Sequence, residues 1–243
     1  MDNALMIGLQ AQRVLQRRME AVANNLANMA TSGFKADAII FESISDPAAH
    51  ADAEPRDIRF VHEAGVMRDM SQGGVSRTGA PLDLAIEGEG FFAVQGPSGT
   101  LYTRDGDFTL AADGTLTTKD GKPVLGDGGA PLVLDLQGQE PVIGQDGAIR
   151  VGDSEAGRVG VYKFADPQNL EKVGDNLYDA KGRAAQAGEG RVVQGALESS
   201  NVRPVVELTR LIEISRAYES AARMVKGDDD LRKSAIERLG KAA

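Results

Sequence analysis

Apolar positions recur every seven residues at both ends of the chain. In the head, roughly Asn3 to Ala30, Leu5, Gln12, Met19 and Leu26 form one series, and Gly8, Leu15, Val22 and Met29 a second, offset by three. This 3-4 alternation is the pattern of a coiled-coil seam and predicts an amphipathic helix about 40 Å long. Asp2 or Asn3 can cap its start. Gln12 and Gly8 make the seam imperfect, and the glycine lets another helix approach closely. The tail repeats the pattern from about Pro204. Leu211, Tyr218, Val225, Arg232 and Leu239 recur at seven, with Leu208, Ser215, Ala222, Asp229 and Ile236 offset by four. Pro204 suits a first helical turn and Asn201 a cap upstream of it. The Gly227-Asp228-Asp229-Asp230 run predicts a weak spot or break. Two arrangements suit these stripes: helices packed on the protein's own middle, or helices paired with each other and with neighbouring subunits.

Between these ends the period changes. Of 29 glycines, 25 lie from Gly65 to Gly195, so a turn-rich region separates glycine-poor ends. Asp-Gly recurs at 105–106, 113–114, 120–121, 127–128 and 146–147, the strongest local hairpin signal when flanked by short apolar runs. Strands are predicted at Leu82–Ile86, Phe91–Val94, Leu101–Arg104, Phe108–Ala111, Thr115–Thr118, Pro123–Leu125, Leu132–Leu136, Arg158–Phe164 and Asn176–Tyr178. No long helical period interrupts them, which favours a small antiparallel sandwich or barrel over a parallel sheet. The stretch from Phe34 to about Arg77 is mixed, with an exposed loop at His50–Pro55 and a short strand at Asp57–Val61.

Composition narrows the function. The 243 residues carry a net charge of −9. The pI near 4.9 argues against nucleic-acid binding, which needs a basic face. With no cysteine there is no disulfide framework, thiolate metal site or cysteine nucleophile. Apolar runs fall far short of the roughly 20 residues of a membrane span. Polar residues from Gln10 to Arg18 break up any signal-peptide core, so export, if it occurs, is expected to use another kind of signal.

No catalytic chemistry stands out. Gly88-Glu89-Gly90-Phe91-Phe92-Ala93 fits G-x-G-x-x-A, but a β-like run follows where a dinucleotide site needs a helix, so a hairpin with buried Phe91 or Phe92 explains it better. Asp105-Gly106-Asp107 opens like a calcium loop, then places Leu110 and Leu116 where glycine and glutamate are required. His50 and His62 alone make no structural zinc site. Paired carboxylates can always be found among 36 acids, and no G-x-S-x-G elbow is present. No catalytic, cofactor or metal residue is assigned, and no enzyme activity is expected.

One motif is specific. Ala23-Asn24-Asn25-Leu26-Ala27-Asn28-Met29-Ala30-Thr31-Ser32-Gly33-Phe34-Lys35 resembles the N-terminal signature of the axial proteins of the bacterial flagellum, the rod and hook family, with Ser32 where proline is common and Ala30 where a polar residue is usual. Pro81–Val94 resembles the family's LDxAIxGxGFFxV segment, Tyr102–Phe108 its YTRDGxF hairpin, and Leu197–Val202 with Glu207, Ile212 and Arg216–Glu219 its C-terminal signature. The matches span nearly the whole chain in order. The chain's length is similar to that of the two rod types and not to the hook types, and its opening Met1-Asp2-Asn3 and compact middle resemble the proximal-rod type more than the distal-rod type.

Residue pattern and resemblance together point to an α+β fold. Long N- and C-terminal helices (1–33 with 203–243) pair as a discontinuous coiled-coil assembly domain around a central, mainly antiparallel β domain (79–189), with extended linkers at 34–78 and 190–202. The resemblance implies a structural rod subunit, exported without signal-peptide cleavage through the flagellar type III apparatus. It would polymerise helically with its own copies and other rod proteins where the rod crosses the periplasm, with no nucleic acid, small-molecule substrate or membrane insertion. Assembly residues are then expected on the helices: Leu5, Leu15, Met19, Val22, Asn24, Asn25, Leu26, Asn28, Leu208, Leu211, Ile212, Tyr218 and Val225. The three asparagines would supply hydrogen bonds between packed helices. Without the resemblance they read rather as a frayed helix end running into the Gly33 turn. Two other functional classes are a cell-wall-cleaving enzyme, which would need a defined acid pair in a cleft, and a soluble β-domain binding module with helical dimerisation arms.

Overall fold

Two helices, α1 (Asp2–Ala27) and α2 (Pro204–Lys241), pack against each other in the computed structural model, which describes residues 2–46 and 58–241. The chain divides into two units. One comprises Met1–Ala27, Asp37–Arg68 and Arg203–Ala243, the other Asn28–Ala36 and Asp69–Val202, so the backbone passes between them four times. The fold is α+β.

In the helical unit α1 stops at Ala27, short of the expected Ala30. Short polar side chains offer the backbone an alternative to the helical ladder. Thr31 donates its amide to the Asn28 carbonyl (3.2 Å) and its hydroxyl to Asn28 Oδ1 (3.2 Å). Met29 therefore leaves the seam and is exposed. Helix α2 runs unbroken through Gly227–Asp230, where the sequence predicts a weak spot or break. One glycine costs roughly 1 kcal/mol against alanine, which a long helix absorbs. Along α2 the partly buried positions through Val225 are Leu211, Ile214, Ser215, Tyr218, Ala221, Ala222 and Val225, preceded by buried Glu207. Ser215 and Ala222 of the expected second series are thus partly buried, while Leu208 at its start is exposed.

The same unit holds an antiparallel hairpin, β1 (Asp37–Asp46) with β2 (Ile58–Arg68), in register from Asp37↔Arg68 to Asp46↔Ile58. The sequence suggests only connecting chain and a short strand here. A register shift at Ile40/Phe41, where Ala64 is extra, weakens the signal in β2: the extra residue reverses that strand's inward–outward alternation, so it does not keep period two throughout. The predicted loop at His50–Pro55 lies outside the described residues.

The second unit is mainly antiparallel β. Its largest sheet orders the strands Glu171–Gly174, Leu177–Asp179, Gly99–Thr103, Phe91–Gly96, Val161–Lys163 and Gln186–Ala187, with Val124–Leu125 sharing one edge of Phe91–Gly96. Strand alternation sends Phe92 and Val94 into one core with Leu84, Ile86, Phe108 and Val124, and Phe91 and Ala93 into another with Tyr102, Phe164 and Tyr178. The central strand is therefore buried on both faces, which is why it reads as a continuous apolar run. Phe91 meets Phe164 and Tyr178 edge-on at 6.0 and 5.8 Å between ring centroids. Gly88-Glu89-Gly90 joins two strands rather than a strand and a helix. Leu132–Leu136, expected as a strand, buries Leu132 and Leu134 but makes only single-residue bridges.

Candidate assembly site and its buried polar anchors

In the helical unit, α1 turns Gly8 toward α2, where an added Cβ would lie 2.6 Å from Val225 Cγ2. A side chain here would press on Val225, so the glycine lets the two helices approach closely. Along α1, Val22 is buried and Leu15, Met19 and Leu26 are partly buried. On α2, Leu211, Tyr218 and Val225 are partly buried, while Leu208 and Ile212 are 46% and 53% exposed. Val205, Leu208 and Ile212, at spacings of three and four, form a short exposed apolar stripe. The Leu5 side chain lies outside the described set. Unpaired apolar stripes of this kind mark interaction surfaces more often than isolated exposed residues do.

The asparagines have separate roles. Asn24 is exposed, and Asn28 belongs to the turn after α1. Asn25 is 3% exposed and bridges three elements. Its Oδ1 accepts from the Asp37 amide (2.9 Å), and its Nδ2 donates to the Asp37 carbonyl (2.9 Å) and to Glu207 Oε2 on α2 (3.3 Å). Glu207, itself buried, also accepts from Arg210 Nη1 at 2.6 Å. Asp37 in turn receives Arg68 Nε at 2.7 Å across the base of the hairpin. A buried asparagine with every polar atom paired fixes one register, because any slip leaves those atoms unpaired.

In the β unit the two terminal signatures meet. Gly33, at φ +66°, lies against the Arg104–Asp105 backbone, where a Cβ would collide. Its amide donates to the Glu198 carbonyl (2.7 Å), and Phe34 beside it packs under the Lys172 ammonium, 4.3 Å from the ring centroid. Lys35 donates to Glu198 Oε1 and to the Ser71 carbonyl, both at 2.6 Å, with Lys35 and Glu198 side chains each 1% exposed. Glu198 Oε1 also accepts from the Gly73 amide (2.9 Å), and Oε2 from Arg104 Nη1 (3.1 Å). Arg104 is held further by the Gly88 carbonyl (2.8 Å) and lies over the Phe91 ring at 5.4 Å. Burial pushes both Lys35 and Arg104 below their ordinary pKa ranges, and the Glu198 charge opposes it in each case. Three residues on, Asn201 accepts from the Ala36 amide (2.8 Å) and donates to the carbonyls of Asp69 (2.8 Å) and Ser71 (3.1 Å). It is therefore no helix cap, correcting the sequence expectation.

Periodicity singles out none of Lys35, Arg104, Glu198 or Asn201 as site residues, although all lie within or beside the signature motifs. One signal was available: Glu198 alternates with Ala196 on a strand, which puts a carboxylate at an inward position. Among the described residues no three acidic or histidine side chains gather as a metal site. The arrangement binds helices and chain segments to one another.

Known proteins are similar to this chain in sequence from end to end. Three family models match: a flagella basal body rod protein model over residues 4–35, the flagellar hook protein FlgE/F/G D1 domain over 85–151, and the flagellar basal body rod FlgEFG protein C-terminal model over 193–238. The flagellar basal-body rod protein FlgF of Caulobacter vibrioides is 44% identical, and that of Mesorhizobium japonicum 35% identical, each over 99% of both chains. The flagellar basal-body rod protein FlgG of Bacillus subtilis is 31% identical over 95% of this chain and 97% of its own. The chain belongs to the flagellar basal-body rod protein family.

Proposed function

We propose that this chain is a structural subunit of the flagellar basal-body rod, of the FlgF type that builds its proximal part. Full-length similarity to FlgF relatives carries this reading, since identity is higher to them than to FlgG of Bacillus subtilis. The terminal helices form the assembly domain. Their mutual seam is the first stretch of a coiled coil, and the stripe Val205, Leu208 and Ile212 meets helices of neighbouring copies or other rod subunits. Such head-to-tail contacts use two different faces and generate an open helical assembly. The subunit transmits motor torque to the hook, performs no reaction and needs no cofactor. It reaches the rod across the periplasm through the flagellar export apparatus, without cleavage of a signal peptide.

The test is complementation. This chain, expressed in a motile bacterium lacking its own FlgF, should restore swimming, and in one lacking FlgG it should not. Rescue of the FlgG-deficient strain alone would move the chain to the distal rod. Rescue of neither, with a stable soluble dimer in solution, would favour the binding-module class.

A further inference from the structure

The segment 196–202 lies between two others in the β unit. On one side Glu198 and Asn201 bond to Gly33, Phe34, Lys35 and Ala36. On the other, strand Ala196–Glu198 pairs with Val75–Arg77, Ser199 donates its amide to the Gly74 carbonyl (2.7 Å), and Asn201 holds Asp69 and Ser71. Two cations from earlier in the chain, Lys35 and Arg104, are buried against one shared carboxylate that arrives only with this segment. Until Glu198 is in place, closing the pocket would bury two like charges together, which is strongly unfavourable.

We propose that segment 196–202 is an electrostatic latch: segments 33–36 and 69–77 close around it only when Glu198 neutralises Lys35 and Arg104, so that all three order in one step. The latch delays fixing of the N-terminal signature until the C-terminal one is present, whatever the chain then assembles into. Asn201 extends the lock to Ala36 and Asp69, where the backbone leaves the unit.

Hydrogen–deuterium exchange on the full-length protein tests this. In Glu198→Gln, amides of 33–36, 73–77 and 196–201 should lose protection together, by ten-fold or more, while Phe91–Gly96 and Gly99–Thr103 keep theirs. A triple variant, Lys35→Met with Arg104→Met and Glu198→Leu, should regain most of that protection, because it leaves no unpaired charge to bury. Protection unchanged in Glu198→Gln, lost at one segment only, or lost equally in the triple variant would overturn the latch. If Glu198→Gln exposes the whole unit, recovery in the triple variant supports the latch and its failure overturns it.

Discussion

Asn25 on α1 donates to Glu207 on α2 while holding both the amide and the carbonyl of Asp37, so one side chain registers two helices and the hairpin that follows the first. Replacing it with leucine removes three hydrogen bonds, two to half-buried Asp37 and one to buried Glu207. Asn25→Leu should therefore destabilise the helical unit by about 2–4 kcal/mol, read from urea unfolding of the helical circular-dichroism signal. Asn25→Asp should be at least as damaging, since it sets a second carboxylate beside buried Glu207.

The close approach at Gly8 gives a prediction whose sign depends on the partner. Gly8→Ala alone should gain helix propensity but push its methyl into Val225, leaving stability unchanged or lowered. In a Val225→Ala background the same change should stabilise by about 1 kcal/mol. A double-mutant cycle measures the coupling, and additive effects would show that the helices do not meet there.

Asp105 gives the β unit a distinctive pH response. Burial raises its pKa to about 6, with the charge of Asp107 adding and the Asp107 amide opposing. Between about pH 6 and its ordinary value of 3.8 the folded chain holds a proton that the unfolded chain has lost. Its contribution to stability therefore grows as pH falls from 7 through 6, and levels off below 4. Melting temperatures of wild type and Asp105→Asn should diverge at pH 7.5, the variant being higher, and converge toward pH 4.5.

The exposed stripe on α2 separates folding from assembly. Ile212→Asp should change monomer stability by no more than about 0.5 kcal/mol, because the side chain is already in water. Swimming and recovery of rods containing the variant should be lost. Normal motility would remove the stripe from the assembly surface.

How much of this was legible depended on what each element needed. Seven-residue spacing located both helices, and Asp-Gly pairs with β-branched runs located most strands of the large sheet, because local propensity and burial agree there. The hairpin Asp37–Asp46 with Ile58–Arg68 was nearly invisible, the alternation of its second strand being reversed at a bulge. The buried anchors were the least legible. Lys35 and Glu198 are 163 positions apart, and no periodicity relates charges that pair only after distant segments meet. Leu208 is exposed while Glu207 beside it is buried, since a carboxylate held by Asn25 takes the inward place that spacing alone gives to an apolar residue.

The four backbone passages between the units have a mechanical meaning. Severing any one of them leaves the two units joined by three others. Here any load moving from one unit to the other divides among four covalent strands in parallel. Two of these are also stitched to each other, by Arg68 to Asp37 on one side and by the Asp69 amide to the Ala36 carbonyl on the other. These cross-links couple the two passages, so a pull on either one is shared with its neighbour before one peptide carries it alone.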